Sequence, residues 1–71
     1  MGEIPVLKPR QVEACLLRLG FILVRQRGSH RQYRHADGRC TTIPFHARDI
    51  TLSLLRKIAR DIGVTVEQMI N

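Results

Sequence analysis

The stretch His30-Arg31-Gln32-Tyr33-Arg34-His35-Ala36-Asp37-Gly38-Arg39-Cys40-Thr41-Thr42-Ile43-Pro44-Phe45 decides the fold. His30 to His35 alternates as one strand and Arg39 to Phe45 makes another, and Ala36-Asp37-Gly38 between them is a hairpin signal. Facing residues of an antiparallel pair share one side of the sheet. A two-residue Asp37-Gly38 turn would set Gln32 against Ile43 and Tyr33 against Thr42, mixing polar and apolar residues on both sides. A three-residue loop ending in a left-handed Gly38 instead puts Tyr33, Thr41, Ile43 and Phe45 on one face. The other face then carries His30, Gln32, Arg34, Cys40, Thr42 and Pro44. The second register is expected, because it yields one face to bury and one to leave in water.

Outward from the hairpin, Phe21 to Gln26 reads as a strand ended by Gly28-Ser29. Pro9 suits the first position of a helix. Val12, Cys15, Leu16 and Leu19 follow at helical spacing, and Gly20 suits the C-terminal cap, so a helix is expected from Pro9 to Leu19 after a loose lead-in over residues 1–8. Thr51 can cap a second helix whose stripe is Leu55, Ile58, Ala59 and Ile62, helped by Leu52 or Leu54 and closed by Gly63. Thr65-Val66-Glu67-Gln68 has capping-box spacing and opens a short last helix with Val66, Met69 and Ile70 free to pack. The reading is α+β: one helix, a three-stranded antiparallel sheet, then helices, all on one face of the sheet.

The length of 71 residues allows one domain, residues 1–71, and no second catalytic or regulatory unit. A 44% hydrophobic and 25% charged composition argues against disorder. The longest apolar stretches, near Phe21–Val24 and Thr42–Phe45, are far below the about 20 residues of a membrane span. Glu3, Lys8, Arg10 and Glu13 interrupt the start, so no signal peptide is expected and the cytoplasm is the default compartment. Cys15 and Cys40 have no Cys-x-x-Cys spacing and sit in patterned segments, so each reads as a small buried hydrophobe.

Charge narrows the function. Twelve Lys+Arg against six Asp+Glu give a net +6, and only Lys8 and Lys57 are lysines. Arginine's planar fork fits phosphate oxygens, so nucleic acid or an acidic protein is the expected partner. Arg25 to Arg48 concentrates Arg25, Arg27, Arg31, Arg34, Arg39 and Arg48, a single acid (Asp37) and all three histidines. Such a run is also what a merely solvated sheet face looks like. Aromatic residues are few, which favours backbone contact over base stacking.

His30 follows Gly28-Ser29, a turn that exposes backbone N–H groups and admits a phosphate. A histidine on the open face, expected there with Arg27, Arg31 and Arg34 around it, can move a proton near neutral pH. Cleaving RNA needs a base for the ribose 2′-hydroxyl, an acid for the leaving 5′ oxygen and cations for the phosphorane. The bland reading is a surface histidine with no role. His35 lies on the opposite side and reads as a rim or half-buried residue. His46 can lie across from the start of the second strand, where assisting His30, orienting a substrate and having no role all stay open. His30, His46 and Cys40 lack metal-ligand spacing, and Glu3, Glu13, Asp37, Asp49, Asp61 and Glu67 are scattered, so no metal or cofactor is expected. A Cys–His enzyme is weaker still, with Cys15 on a core stripe.

At Leu19-Gly20-Phe21, Arg27-Gly28-Ser29-His30-Arg31-Gln32-Tyr33, Asp37-Gly38 and Thr42-Ile43-Pro44-Phe45-His46, completed by Leu52 to Gly63, the chain resembles the HicA family of bacterial toxins, over Pro9 to Ile70. The resemblance implies a double-stranded-RNA-binding-domain-like (dsRBD-like) α-β-β-β-α fold. It implies a small messenger-RNA endoribonuclease that works without a metal, with His30 catalytic, and a HicB antitoxin that covers the active face. The family's usual Gly-Thr at the start of the second long helix is replaced by Thr51-Leu52 or Leu52-Ser53. Arg27, Gly28, Ser29, Arg31, Arg34 and His46 are the expected substrate-binding residues. The rival expectations are a non-catalytic dsRBD-like RNA-binding module and a purely protein-binding subunit whose basic face meets an acidic partner. The oligomeric state is left open.

Overall fold

The computed structural model describes residues 6–70. Its order is α1 (Pro9–Arg18), β1 (Ile22–Arg27), β2 (His30–Arg34), β3 (Cys40–Pro44), α2 (Leu52–Asp61) and α3 (Val66–Ile70). The strands form one antiparallel sheet in the order β1-β2-β3. Every element is the one expected, with ends moved by about a residue, and helices cover one face of the sheet.

The hairpin adopts the expected register. Tyr33 pairs with Thr41 and Gln32 with Thr42. The loop closes through His35 N–H donating to the Arg39 carbonyl (2.8 Å) and Gly38 N–H donating to that of His35 (2.9 Å). Gly38 has φ +99°, a left-handed conformation that a residue with a Cβ adopts at a cost. Asp37 adds to the turn: its carboxylate accepts from the Arg39 backbone N–H (3.1 Å) and side-chain Nε (2.8 Å), and these bonds lower its pKa to about 2. Tyr33, Thr41 and Ile43 are buried beneath the helices, and Phe45 packs half-buried beside them.

The core joins this face to Val12 and Leu16 of α1, Leu55, Ile58 and Ala59 of α2, Ile62 just beyond it, and Val66 and Met69 of α3. Apolar burial of this kind supplies the main stabilisation, about 25 cal/mol per Å². α1 ends in a Schellman motif, with Gly20 N–H on the Leu17 carbonyl and Phe21 N–H on that of Leu16. Thr51 caps α2 through its side chain, which accepts from Leu54 N–H (3.2 Å). Thr65 and Gln68 exchange the two hydrogen bonds of a capping box (2.9 and 3.0 Å). Of the two leucines offered to the α2 stripe, Leu54 packs and Leu52 is exposed.

Three expectations are corrected. Within the lead-in, residues 1–5 lie outside the described residues, but Leu7 is buried and bridges Ile50, and Lys8 N–H is capped by the Gln11 side chain (2.7 Å). The chain is therefore pinned before α1 begins. Cys40 is exposed rather than buried, because the register that buries Tyr33 and Thr41 turns its neighbour outward. Cys15 is only partly buried, at the edge of the α1 stripe.

Candidate active site on the open sheet face

The uncovered sheet face is built by parity. β1 meets β2 through a two-residue turn at Gly28-Ser29, with Arg27 opposite His30. Gly28 has φ +60° and Ser29 does not share the positive φ, the arrangement of a II′ turn, in which glycine takes the first central position. Further along, the register slips between Leu23 and Arg25: Leu23 faces Tyr33, whereas Arg25 faces Gln32. This bulge inserts one extra residue, Val24, and so reverses the side to which the rest of β1 points. Without it Gln26 would share the face of His30. With it Arg25 and Arg27 do.

The result is an open cleft of about 190 Å³ lined by Arg25, Arg27, His30, Gln32 and Thr42. His30 is exposed. His46, two residues past β3, returns to the same end of the sheet. The His30 and His46 rings meet edge to face, with centroids 5.5 Å apart and planes at 74°. Ser29 Oγ lies 2.8 Å from His46 Nδ1, and the Ser29 carbonyl accepts from Phe45 N–H (2.6 Å), so side chain and backbone both tie the Gly-Ser turn to the end of β3. No described carboxylate lines the cleft. Asp37, Asp49 and Asp61 pair with Arg39, Lys8 and Lys57, and Glu13 lies on the helix side. No group of three His, Cys, Asp or Glu able to hold a metal occurs among the described residues.

Of the expected site residues, Arg27, Gly28, Ser29, His30 and His46 converge. Arg34 shares the face but lies farther along β2, opposite Ile22 and Cys40, outside the cleft. Arg31 is a correction. It alternates to the helix side, where Nη1 donates to Glu13 (3.2 Å) and the guanidinium lies 4.0 Å from the centroid of the Phe45 ring. The Tyr33 hydroxyl donates to the same Glu13 oxygen, Oε2. Burial first, then the Glu13 carboxylate, hold that phenol well above its usual range. Arg31 therefore belongs to a part-buried polar network on the helix side, away from the cleft. His35 is half-buried against Phe21 (ring centroids 5.1 Å), the rim position expected. Arg25, Gln32 and Thr42 are cleft residues not singled out from the sequence. Gln32 and Thr42 were already on the polar side of the preferred register, whereas Arg25 depends on the bulge.

The arrangement offers two exposed imidazoles and two guanidinium groups on an uncovered surface, a setting for proton transfer at an anionic ligand. A family model described as the HicA toxin of bacterial toxin-antitoxin matches residues 9–64, which includes the whole sheet, the Gly-Ser-His turn and α2. The chain belongs to the HicA toxin family. It is thus the toxin of a toxin–antitoxin pair, with an antitoxin as its partner. The match covers the residues that place His30 and His46 together, and stops before α3. No curated protein matches the sequence. Among the described residues, no helix of this HicA-family chain is long and apolar enough to cross a membrane.

Proposed function

We propose that this HicA-family toxin is an endoribonuclease that cuts messenger RNA, with His30 as a general acid or base and no metal in the reaction. The observation that carries the reading is an exposed His30 that lines one open cleft together with Arg25 and Arg27. Ribose phosphate chemistry needs proton transfer and charge neutralisation at one phosphorus, and imidazole beside guanidinium supplies both. Arg25 and Arg27 hold phosphates, and Arg34 extends the positive track along β2. A HicB-like antitoxin with an acidic surface would neutralise the toxin by covering this face, since complementary potential suits a chain of net charge +6.

The test is end-labelled RNA incubated with the purified protein. Fragments that persist in a chelator are expected. A mobility shift without fragments would reduce the protein to an RNA-binding module. Loss of any salt-dependent RNA affinity would leave a protein-binding subunit, because phosphate contacts weaken steeply with salt.

The register makes a second expectation. Replacing both Arg25 and Arg27 with alanine weakens RNA binding and flattens the plot of log K against log salt by about 1.4, at about 0.7 for each single-strand phosphate that is no longer neutralised. Arg31→Ala leaves that slope unchanged and lowers the melting temperature instead. Binding titrations over a salt series, with thermal melts of the same samples, separate the two outcomes.

A further inference from the structure

We propose that His46 is the second proton-transfer group of the cleft, sharing one phosphodiester with His30, and that Ser29 is the positioning residue that sets its ring. The inference rests on the ribonuclease reading and adds the residue that completes the chemistry. Transesterification at a ribose phosphate moves two protons at two different oxygens. One imidazole takes the 2′-hydroxyl proton as that oxygen bonds to phosphorus. A second, protonated imidazole gives its proton to the 5′ oxygen as the P–O5′ bond breaks. The products are a 2′,3′-cyclic phosphate and a 5′-hydroxyl end, one imidazole has gained the proton the other has given up, and exchange with water restores the pair.

The geometry supplies both groups at one place. The rings touch edge to face at 5.5 Å between centroids, both residues are exposed, and Arg25 and Arg27 line the cleft together with His30. The His46 ring is also held. Ser29 Oγ takes its Nδ1 at 2.8 Å, and among the described residues Nε2 has no protein partner. In the tautomer that carries the proton on Nδ1, the Ser29 hydroxyl accepts from it, and the ring keeps that proton whether its Nε2 is bare or protonated. The Ser29 hydrogen bond therefore survives proton exchange at Nε2, leaving that nitrogen to exchange protons without reorientation of the ring. The same serine is fixed through its carbonyl by Phe45 N–H (2.6 Å), so the turn carrying His30 and the segment carrying His46 are held as one unit.

An RNA with sulfur in place of the bridging 5′ oxygen tests this, because a thiolate leaves without needing an acid. On ordinary RNA, His46→Ala is expected to cleave about 10²- to 10⁴-fold more slowly, as His30→Ala does. On the sulfur-bridged RNA one of the two variants recovers close to the wild-type rate and the other does not, which names the acid. Ser29→Ala loses on the order of tenfold on ordinary RNA, the effect of one modest hydrogen bond, and Ser29→Thr restores it. Wild-type cleavage by His46→Ala would overturn the assignment while leaving the ribonuclease reading intact. So would two variants equally slow on the sulfur-bridged RNA, which would make His46 a substrate-holding residue. Failure of the wild type to cleave any RNA overturns both readings.

Discussion

His30→Ala should cleave RNA about 10²- to 10⁴-fold more slowly than the wild type, the usual loss when a general acid–base group is removed, and its melting temperature should barely move. The two halves of that result have separate causes. His30 is exposed at the head of β2, with no side-chain hydrogen bond among the described residues and no place in the core, so truncating it leaves no cavity and no orphaned polar group. Its loss falls on the reaction. In bacteria, induced wild-type protein should arrest growth with fragmented messenger RNA, and the variant at equal abundance should not. Unchanged cleavage by folded His30→Ala protein would remove the proposed mechanism.

Glu13→Ala should do the reverse, lowering stability by about 2–3 kcal/mol while leaving cleft residues in place. Glu13 accepts from both the Arg31 guanidinium and the Tyr33 hydroxyl, in a part-buried setting. Hydrogen bonds to charged groups contribute about 1.5–3 kcal/mol, and the partners left behind keep their desolvation cost. Arg31 Nε is already buried without a hydrogen-bond partner among the described residues, so the loss of Glu13 adds to an existing deficit. For a domain whose total stability is roughly 4–10 kcal/mol at 0.05–0.15 kcal/mol per residue, the fall in melting temperature should be on the order of 10–20 °C. Calorimetry of the single and double Glu13 and Arg31 variants measures the coupling, and additive losses would refute it.

The same network predicts an alkaline limb. Burial and the Glu13 carboxylate raise the Tyr33 pKa, so the folded state holds that proton more tightly than the unfolded chain, whose phenol titrates near 10. The stabilisation is complete below pH 10 and is lost as pH rises towards the folded-state value. Tyr33→Phe should show a shallower loss of stability above pH 10 than the wild type. Equal slopes for the two proteins would show that Tyr33 does not couple to folding.

How much was legible follows from the range of the signals. The hairpin at Ala36-Asp37-Gly38 was readable because parity along two short strands ties the loop length to which residues are buried, and only one length buries Tyr33 with Ile43. The helices announce themselves through local stripes and caps, Pro9, Gly20 and Thr51 among them. Arg31 shows how proximity in sequence misleads. It adjoins His30, yet successive strand residues point to opposite faces, and the parity that placed His30 outside already placed Arg31 within. Cys40 failed in the opposite way: its apolar character suggested burial, and the register assigned it to water.

By itself the chain determined the element order, the hairpin register, the exposure of His30 and the family to which it belongs, because each rests on patterns within a few tens of residues. Only the tertiary structure decided that Arg25 joins Arg27 beside His30, since a bulge is defined by which partner residue is skipped and not by the strand that carries it. It also decided that Ser29 reaches His46 and that Glu13 of α1 claims Arg31 and Tyr33 of β2. Those pairings join segments 17 to 20 positions apart, where no local periodicity operates and the packing of helix on sheet sets which polar groups meet.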